Sequence, residues 1–343
     1  MPENHAVRDP SAKNQHLDVC LGTQALYQKS TGFERFAFTN EATAGLNFAE
    51  IDTSVQWFGR RLQTPLMIAP MTGGVGRGHT LNMRLAAAAE RWGLPMGVGS
   101  QRIALEDPNR AKLFAIRDVA PTTFIFSNLG AAQVALGWGA DQAMRAIEMV
   151  SAQALFVHLN PLQEACQGGD VNFSMFLPNL SRLCEDLSRE GIPVLVREVG
   201  FGLSVRAAKE LIACGVAGLD CAGAGGTSWA KVEALCSLDP HTREVAATLG
   251  EWGIPTADAI HQVRTASRTV PLIATGGITD GLEVAKALAL GADLAAMARA
   301  MLLAAEADRV DDFIRRTIRE LQVCMFAAGA RTVRDLRGLM MDL

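Results

Sequence analysis

The residues best suited to chemistry gather in one stretch, Asp220-Cys221-Ala222-Gly223-Ala224-Gly225-Gly226-Thr227-Ser228-Trp229. The apolar run Val216-Ala217-Gly218-Leu219 leads into it and reads as a short buried strand. Glycine admits positive φ and close backbone approach, so successive N–H groups in such a loop can converge on one anion. Thr227 and Ser228 add hydroxyl donors. A phosphate suits this arrangement; a tight strand-to-loop turn that binds nothing is the plainer alternative. Two more strand ends favour the phosphate. Gly276-Gly277 follows the run Pro271-Leu272-Ile273-Ala274, and Asp293-Leu294-Ala295-Ala296-Met297-Ala298 ends at Arg299. In α/β barrels the last strands frequently carry a phosphate site.

Other polar groups stand just after apolar runs: Met71-Thr72-Gly73-Gly74, Gly99-Ser100-Gln101-Arg102, Asn128-Leu129-Gly130, His158 with Asn160, Gln163 and Glu164, and Arg197-Glu198-Val199-Gly200. Taken singly each has a bland reading. Met71 is a packing residue, His158 a satisfied core histidine, Glu164 a solvated helix start. Together they place hydrogen-bonding groups at every strand end. The sequence shows no Ser-His-Asp grouping, no His-rich metal site and no paired carboxylates at one strand end. Amides, hydroxyls and glycine backbone beside a phosphate clamp suit a cofactor that carries the chemistry itself. Flavin mononucleotide would place its phosphate at the last three strands and its ring across the mouth, with Arg197 near the N1 edge.

The elements that must position these groups repeat regularly. Strand-length apolar runs fall at Pro65–Pro70, Leu94–Val98, Thr123–Ser127, Ala154–Leu159, Pro193–Val199, Val216–Cys221, Pro271–Thr275 and Leu294–Ala298. Helical spacing fills Leu81–Trp92, Asp141–Val150, Phe176–Arg189, Ser204–Cys214, Thr256–Ala266 and Gly281–Leu290, several closed by glycine. Near-continuous apolar strands mark a parallel sheet buried on both faces. The expected fold is α/β, a (β/α)8 TIM barrel over residues 62–343 with an N-terminal extension, 1–61, packed on it; a doubly wound open sheet is the alternative. Residues 1–15 carry no periodicity and are expected to start disordered. The long polar stretch Lys231–Glu251 reads as a mobile lid or a surface excursion.

Composition sets the bounds. The chain has 343 residues, 49% hydrophobic and 20% charged, ample for a large core. A net charge of −4 with interspersed signs excludes the basic face that nucleic acid requires. The most apolar segment, 285–304, is broken by Asp293 and Arg299 and does not suit a bilayer. The seven cysteines show no C-x-x-C pair or zinc spacing, which points to reduced thiols and a cytoplasmic location.

The motifs Met71–Gly74, Gly99–Arg102, Asn128–Gly130, Asn160-Pro161-Leu162-Gln163-Glu164, Ala222–Trp229 and Gly253-Ile254-Pro255-Thr256 occur in order, and in combination they resemble the type 2 isopentenyl diphosphate isomerase family. The resemblance covers Lys13 to Ala330. It implies an FMN-dependent barrel that converts isopentenyl diphosphate to dimethylallyl diphosphate with reduced flavin, Mg²⁺ and NADPH as reductant, as a homotetramer or larger. It further implies Gln163 as the catalytic group at the isoprene unit and Glu164 as the Mg²⁺ ligand. Lys13, His16, Ser100, Arg102, His158 and Asn160 would contact the substrate. Pro70, Met71, Thr72, Ser100, Asn128, Arg197, Thr227, Gly276, Gly277, Ala298 and Arg299 would surround FMN. Two positions depart from the family pattern. Ala12 replaces an arginine of the diphosphate clamp, and Arg197 replaces a lysine. The rivals are a diverged relative with another substrate, a non-catalytic flavin barrel, and an FMN oxidoreductase of the 2-hydroxy-acid oxidase type. The last needs a His base with a neighbouring Arg where Ala224-Gly225-Gly226-Thr227 stands.

Overall fold

The computed structural model describes residues 10–342, with side chains from Asn14 to Met341. Eight parallel strands close into a barrel: Leu66–Ile68, Met96–Gly97, Ile125–Gly130, Ala154–Leu159, Val194–Glu198, Gly218–Asp220, Leu272–Ala274 and Leu294–Met297. Each lies on one of the eight apolar runs. The third continues further than its run suggested, so Asn128 and Gly130 sit within the strand and not beyond it.

Alternation divides each strand between two cores. On the fourth, Leu155 and Val157 face the helices while Ala154 and Phe156 face the interior. Phe126 and Phe156 stack inside with ring centroids 4.3 Å apart. A hairpin of Val55–Trp57 and Arg60–Leu62 adds Trp57 and Leu62 to that inner cluster. Phe58 stacks on Phe124, just ahead of the third strand, so the hairpin plugs the end where the strands begin. Function is left to the other end, as barrels generally arrange it.

All six expected helices are present, within a few residues at their ends. Ser204 caps its helix by accepting from the Ala207 N–H at 3.1 Å. Two expectations are corrected. The polar stretch after the sixth strand holds two helices, Trp229–Cys236 and Pro240–Thr248. Ser228 and Asp239 cap them, accepting from Lys231 N and Thr242 N. The first buries Ala230, Val232, Glu233 and Ala234, and the second only Ala246. Near the N-terminus, Pro10–Leu21 is helical where no regular element was expected. Tertiary contacts outweigh its weak pattern. Leu17 and Cys20 are buried, Asp18 pairs with Arg77, and Arg299 donates to the carbonyls of Cys20, Leu21 and Gly22, capping the helix C-terminus. Residues 1–9 lie outside the described chain.

Candidate active site

Strand register assembles the floor of the site. Gly130, His158, Arg197 and Asp220 are successive cross-strand partners, two residues beyond the Phe156–Leu195 layer of the interior. The same period that buries Phe156 therefore turns His158, Arg197 and Asp220 inward at the strand ends. Above them opens a cavity of about 1060 Å³. All the expected site residues with described side chains line it, from His16 through Arg102 and Glu164 to Arg299. Lys13, like Ala12, lies outside the described side chains.

One wall is backbone. Gly276 and Gly277 have φ of 110° and 72°. A Cβ on Gly276 would stand 2.1 Å from the Gly223 carbonyl oxygen, and one on Gly277 2.5 Å from Thr31. Neither position admits a side chain. Beside them the helix Arg299–Glu306 begins at Ala298 with no side-chain cap, leaving its first N–H groups to an outside acceptor. The Arg299 guanidinium is turned away to the N-terminal helix, so its position contributes backbone to this wall. Gly226 closes the cradle; a Cβ there would lie 2.6 Å from Gly277 N. Gly226→Val should part the two loops and yield folded protein without flavin, read by absorbance and circular dichroism. Flavin at wild-type stoichiometry in that variant would contradict the assignment.

The floor is Arg197. It is buried, donates from Nη1 to the Pro70 carbonyl at 3.0 Å and lies over the Phe156 ring at 5.7 Å. Its Nε stands 3.4 Å from Asp220 Oδ2 yet makes no hydrogen bond. Arg197 is thus one half of a buried pair.

The opposite wall holds the polar side chains. His158 Nδ1 bonds Asn128 Oδ1 at 2.8 Å. Asn160 Nδ2 donates to Gln163 Oε1 at 3.3 Å and Glu164 Oε1 at 3.0 Å, while its own buried Oδ1 has no partner. Glu164 Oε2 also accepts from the Asp170 N–H. Arg102 pairs with Glu106 and Asp170 at 2.7 and 2.8 Å. Gln163 Nε2 donates to Glu233 Oε1 at 2.7 Å, and His16 Nε2 lies 3.4 Å from Glu233 Oε2. Among the described residues no cluster of three or more His, Cys, Asp or Glu could cage a metal.

The model of the FMN-dependent dehydrogenase family matches residues 10–121 and 173–342. The chain is 44% identical over 326 residues to the isopentenyl-diphosphate delta-isomerase of a Synechococcus strain, covering 94% of this chain and 92% of that one. It is 45% identical over 334 residues to the isopentenyl-diphosphate delta-isomerase of Stutzerimonas stutzeri, covering 96% and 95%. The chain belongs to the type 2 isopentenyl-diphosphate delta-isomerase family. Solved structures that resemble it include flavocytochrome b2 with sulfite bound (TM-score 0.66, 14% identity, 95% of this chain and 82% of that) and a mandelate oxidase (TM-score 0.62, 18% identity, 95% and 96%). At that identity they share the fold with this isomerase-family chain and nothing finer.

The site residue missed in the sequence is Glu233. It lay in the stretch read as lid or excursion, yet it is buried on the cavity wall. The signal was available: Ser228 as a cap, then Trp229, Val232, Glu233 and Cys236 on one helical face, a carboxylate on the packing side. Its neighbour His16 carries a pH signature. Burial disfavours the imidazolium, but the contacts with Cys236 and Glu233 outweigh it and raise the pKa from 6.5 to about 9. A raised folded-state pKa gives stability that is complete below the unfolded value near 6.5 and lost as pH rises through about 9. Thermal midpoints of the wild type should therefore fall from pH 6.5 to 9 more steeply than those of His16→Gln. Parallel profiles would remove His16 from this role.

Proposed function

We propose that this protein isomerises isopentenyl diphosphate to dimethylallyl diphosphate using reduced FMN. The observation that carries the reading is the contact chain Gln163–Glu233–His16 on the wall of the cavity that Arg197 floors and the glycine cradle bounds. The residues present fit the flavin. The glycine cradle has no room for a Cβ, the helix beginning at Arg299 offers N–H groups to the phosphate, and buried Asn160 Oδ1 and Arg197 Nε have no hydrogen-bond partner. Reduced FMN supplies an electron-rich face and an exchangeable proton beside the alkene, with no net electron transfer.

The chain does the rest. An isolated allylic C–H is too weak an acid for a side-chain base. Protonating the alkene gives a tertiary cation whose neighbouring C–H is acidic. Gln163 cannot ionise; it orients the alkene and fixes the Glu233 carboxylate. Glu233, with His16 beside it, is placed to accept the proton that the carbon next to the cation releases. Arg102, His158, Asn160 and Lys13 take the diphosphate end, with Arg102 exchanging its carboxylate partners for phosphate. Holding that end spends binding energy on fixing the alkene over the floor. Glu164 would supply a carboxylate oxygen to Mg²⁺, which would neutralise charge on the diphosphate. Glu164→Gln should raise the Mg²⁺ concentration for half-maximal rate several-fold without changing flavin content; an unchanged requirement would remove Glu164 as ligand.

NADPH is proposed as the source of electrons that first reduce the flavin. A homo-oligomer is supported by the exposed Leu238, Val245 and Trp252. A cytoplasmic setting is supported by the free state of the seven cysteines. The oxidase reading is disfavoured by the Ala224–Thr227 loop, which offers no imidazole, and by His158, engaged with Asn128. Anaerobic turnover of isopentenyl diphosphate against a 2-hydroxy acid separates the two: the first should react and the second should not.

A further inference from the structure

We infer that Asp220 is the positioning residue that fixes Arg197 and sets the net charge beneath the flavin, an inference that rests on the FMN reading above. Arg197 spans the barrel mouth. It stands on the fifth strand and bonds Pro70, just after the first, and these strands lie opposite one another among eight. Phe156, with Phe126 stacked beneath it, supports the guanidinium from below. A lysine, with one nitrogen at the end of a flexible stem, cannot reach Pro70 and the sixth strand together in this planar manner.

A guanidinium stays charged in proteins, and a buried charge without a partner is costly. Asp220, 1% exposed, is the compensating group. Its Oδ2 lies 3.4 Å from Arg197 Nε and accepts from Thr275 Oγ1 at 2.9 Å. Its Oδ1 accepts from the N–H of Ala222 at 3.2 Å. Ala222 lines the cavity with φ of 30°, a left-handed conformation that a non-glycine residue adopts at a cost. One carboxylate thus aligns the floor cation and holds the strained backbone beside it.

Among the neighbouring titratable groups, Glu198 acts on the guanidinium through its charge but makes no contact with it. Glu198 follows Arg197, but its Oε2 turns to the N–H groups of Gly200, Phe201 and Gly202, and burial pushes its pKa up to about 8. His158 is the register partner of Arg197 on the other side and is bonded to Asn128. A flavin held in this cavity would therefore meet Arg197 as one half of a compensated pair, not as a free cation.

The test is the flavin midpoint potential, measured by dye equilibration, together with flavin content. Asp220→Asn keeps the shape and an oxygen for Thr275 but removes the compensating charge. Reduced flavin, which is anionic, should then bind at least ten-fold more tightly relative to oxidised flavin, a rise of about 30 mV for a two-electron couple. Thr275→Val leaves the carboxylate intact and strips one donor from it, so the shift should run the other way by two- to three-fold. That variant decides the matter if Asp220→Asn does not fold. Flavin-loaded variants with the wild-type potential would overturn the role of Asp220. A wild type that binds no flavin would instead overturn the FMN reading on which it rests.

Discussion

Arg197→Gln is expected to lower the thermal midpoint by roughly 10 °C and to cut turnover of the pre-reduced enzyme at least ten-fold. Both effects follow from one geometry. The substitution removes the Pro70 bond and leaves Asp220 buried without its counter-charge. Breaking such a pair costs about 3–5 kcal/mol, a large share of a stability that is commonly 5–15 kcal/mol. Pre-reduction with dithionite separates the chemical step from the reduction step. If the missing charge acts only on reduction, the pre-reduced variant recovers wild-type turnover. Arg197→Lys should fall between the two, because it keeps the charge and loses the span. Wild-type stability and turnover in Arg197→Gln would mean that the guanidinium merely fills space.

Glu233→Gln should lower kcat for isopentenyl diphosphate by about 10²–10⁴, the usual range for removing a positioned proton-transfer group. Flavin content should not change, because the contacts of Glu233 are with Gln163 and His16 and not with the glycine cradle. The amide still accepts from Gln163 but cannot hold the proton. It also loses the charge that supports His16, so the alkaline fall in stability should flatten as it does in His16→Gln. An unchanged kcat with a raised KM would reassign Glu233 to substrate positioning.

The barrel was legible because its strands are buried on both faces. Runs such as Ala154–Leu159 and Leu294–Ala298 cannot be solvated, and the glycines that punctuate them mark the turns. The cradle was legible for a related reason. Gly276 and Gly277 meet backbone that excludes any Cβ, and the sequence carries that exclusion directly. What escaped depends on tertiary contact. The helix Pro10–Leu21 has hardly any pattern of its own; Arg77 and Arg299, far along the chain, hold it. Glu233 looked like a surface charge until its helix was packed against His16 and Gln163. The Arg197–Asp220 pair is a register effect between two adjacent strands, and a single sequence gives no register. The Arg299 side chain was assigned to phosphate, as its place after the last strand suggested, but the free carbonyls of the N-terminal helix hold it in this structure.

Proton transfer at reduced flavin, as proposed, isomerises isopentenyl diphosphate without net oxidation. The direct measurement is an NMR time course in deuterated buffer. It uses anaerobic enzyme reduced once with dithionite, Mg²⁺ and isopentenyl diphosphate, with the flavin spectrum followed in parallel. Many turnovers to dimethylallyl diphosphate, deuterium in the newly formed methyl group and a flavin that stays reduced throughout are the expected result. No product, or product limited to one equivalent with matching flavin oxidation, would contradict it.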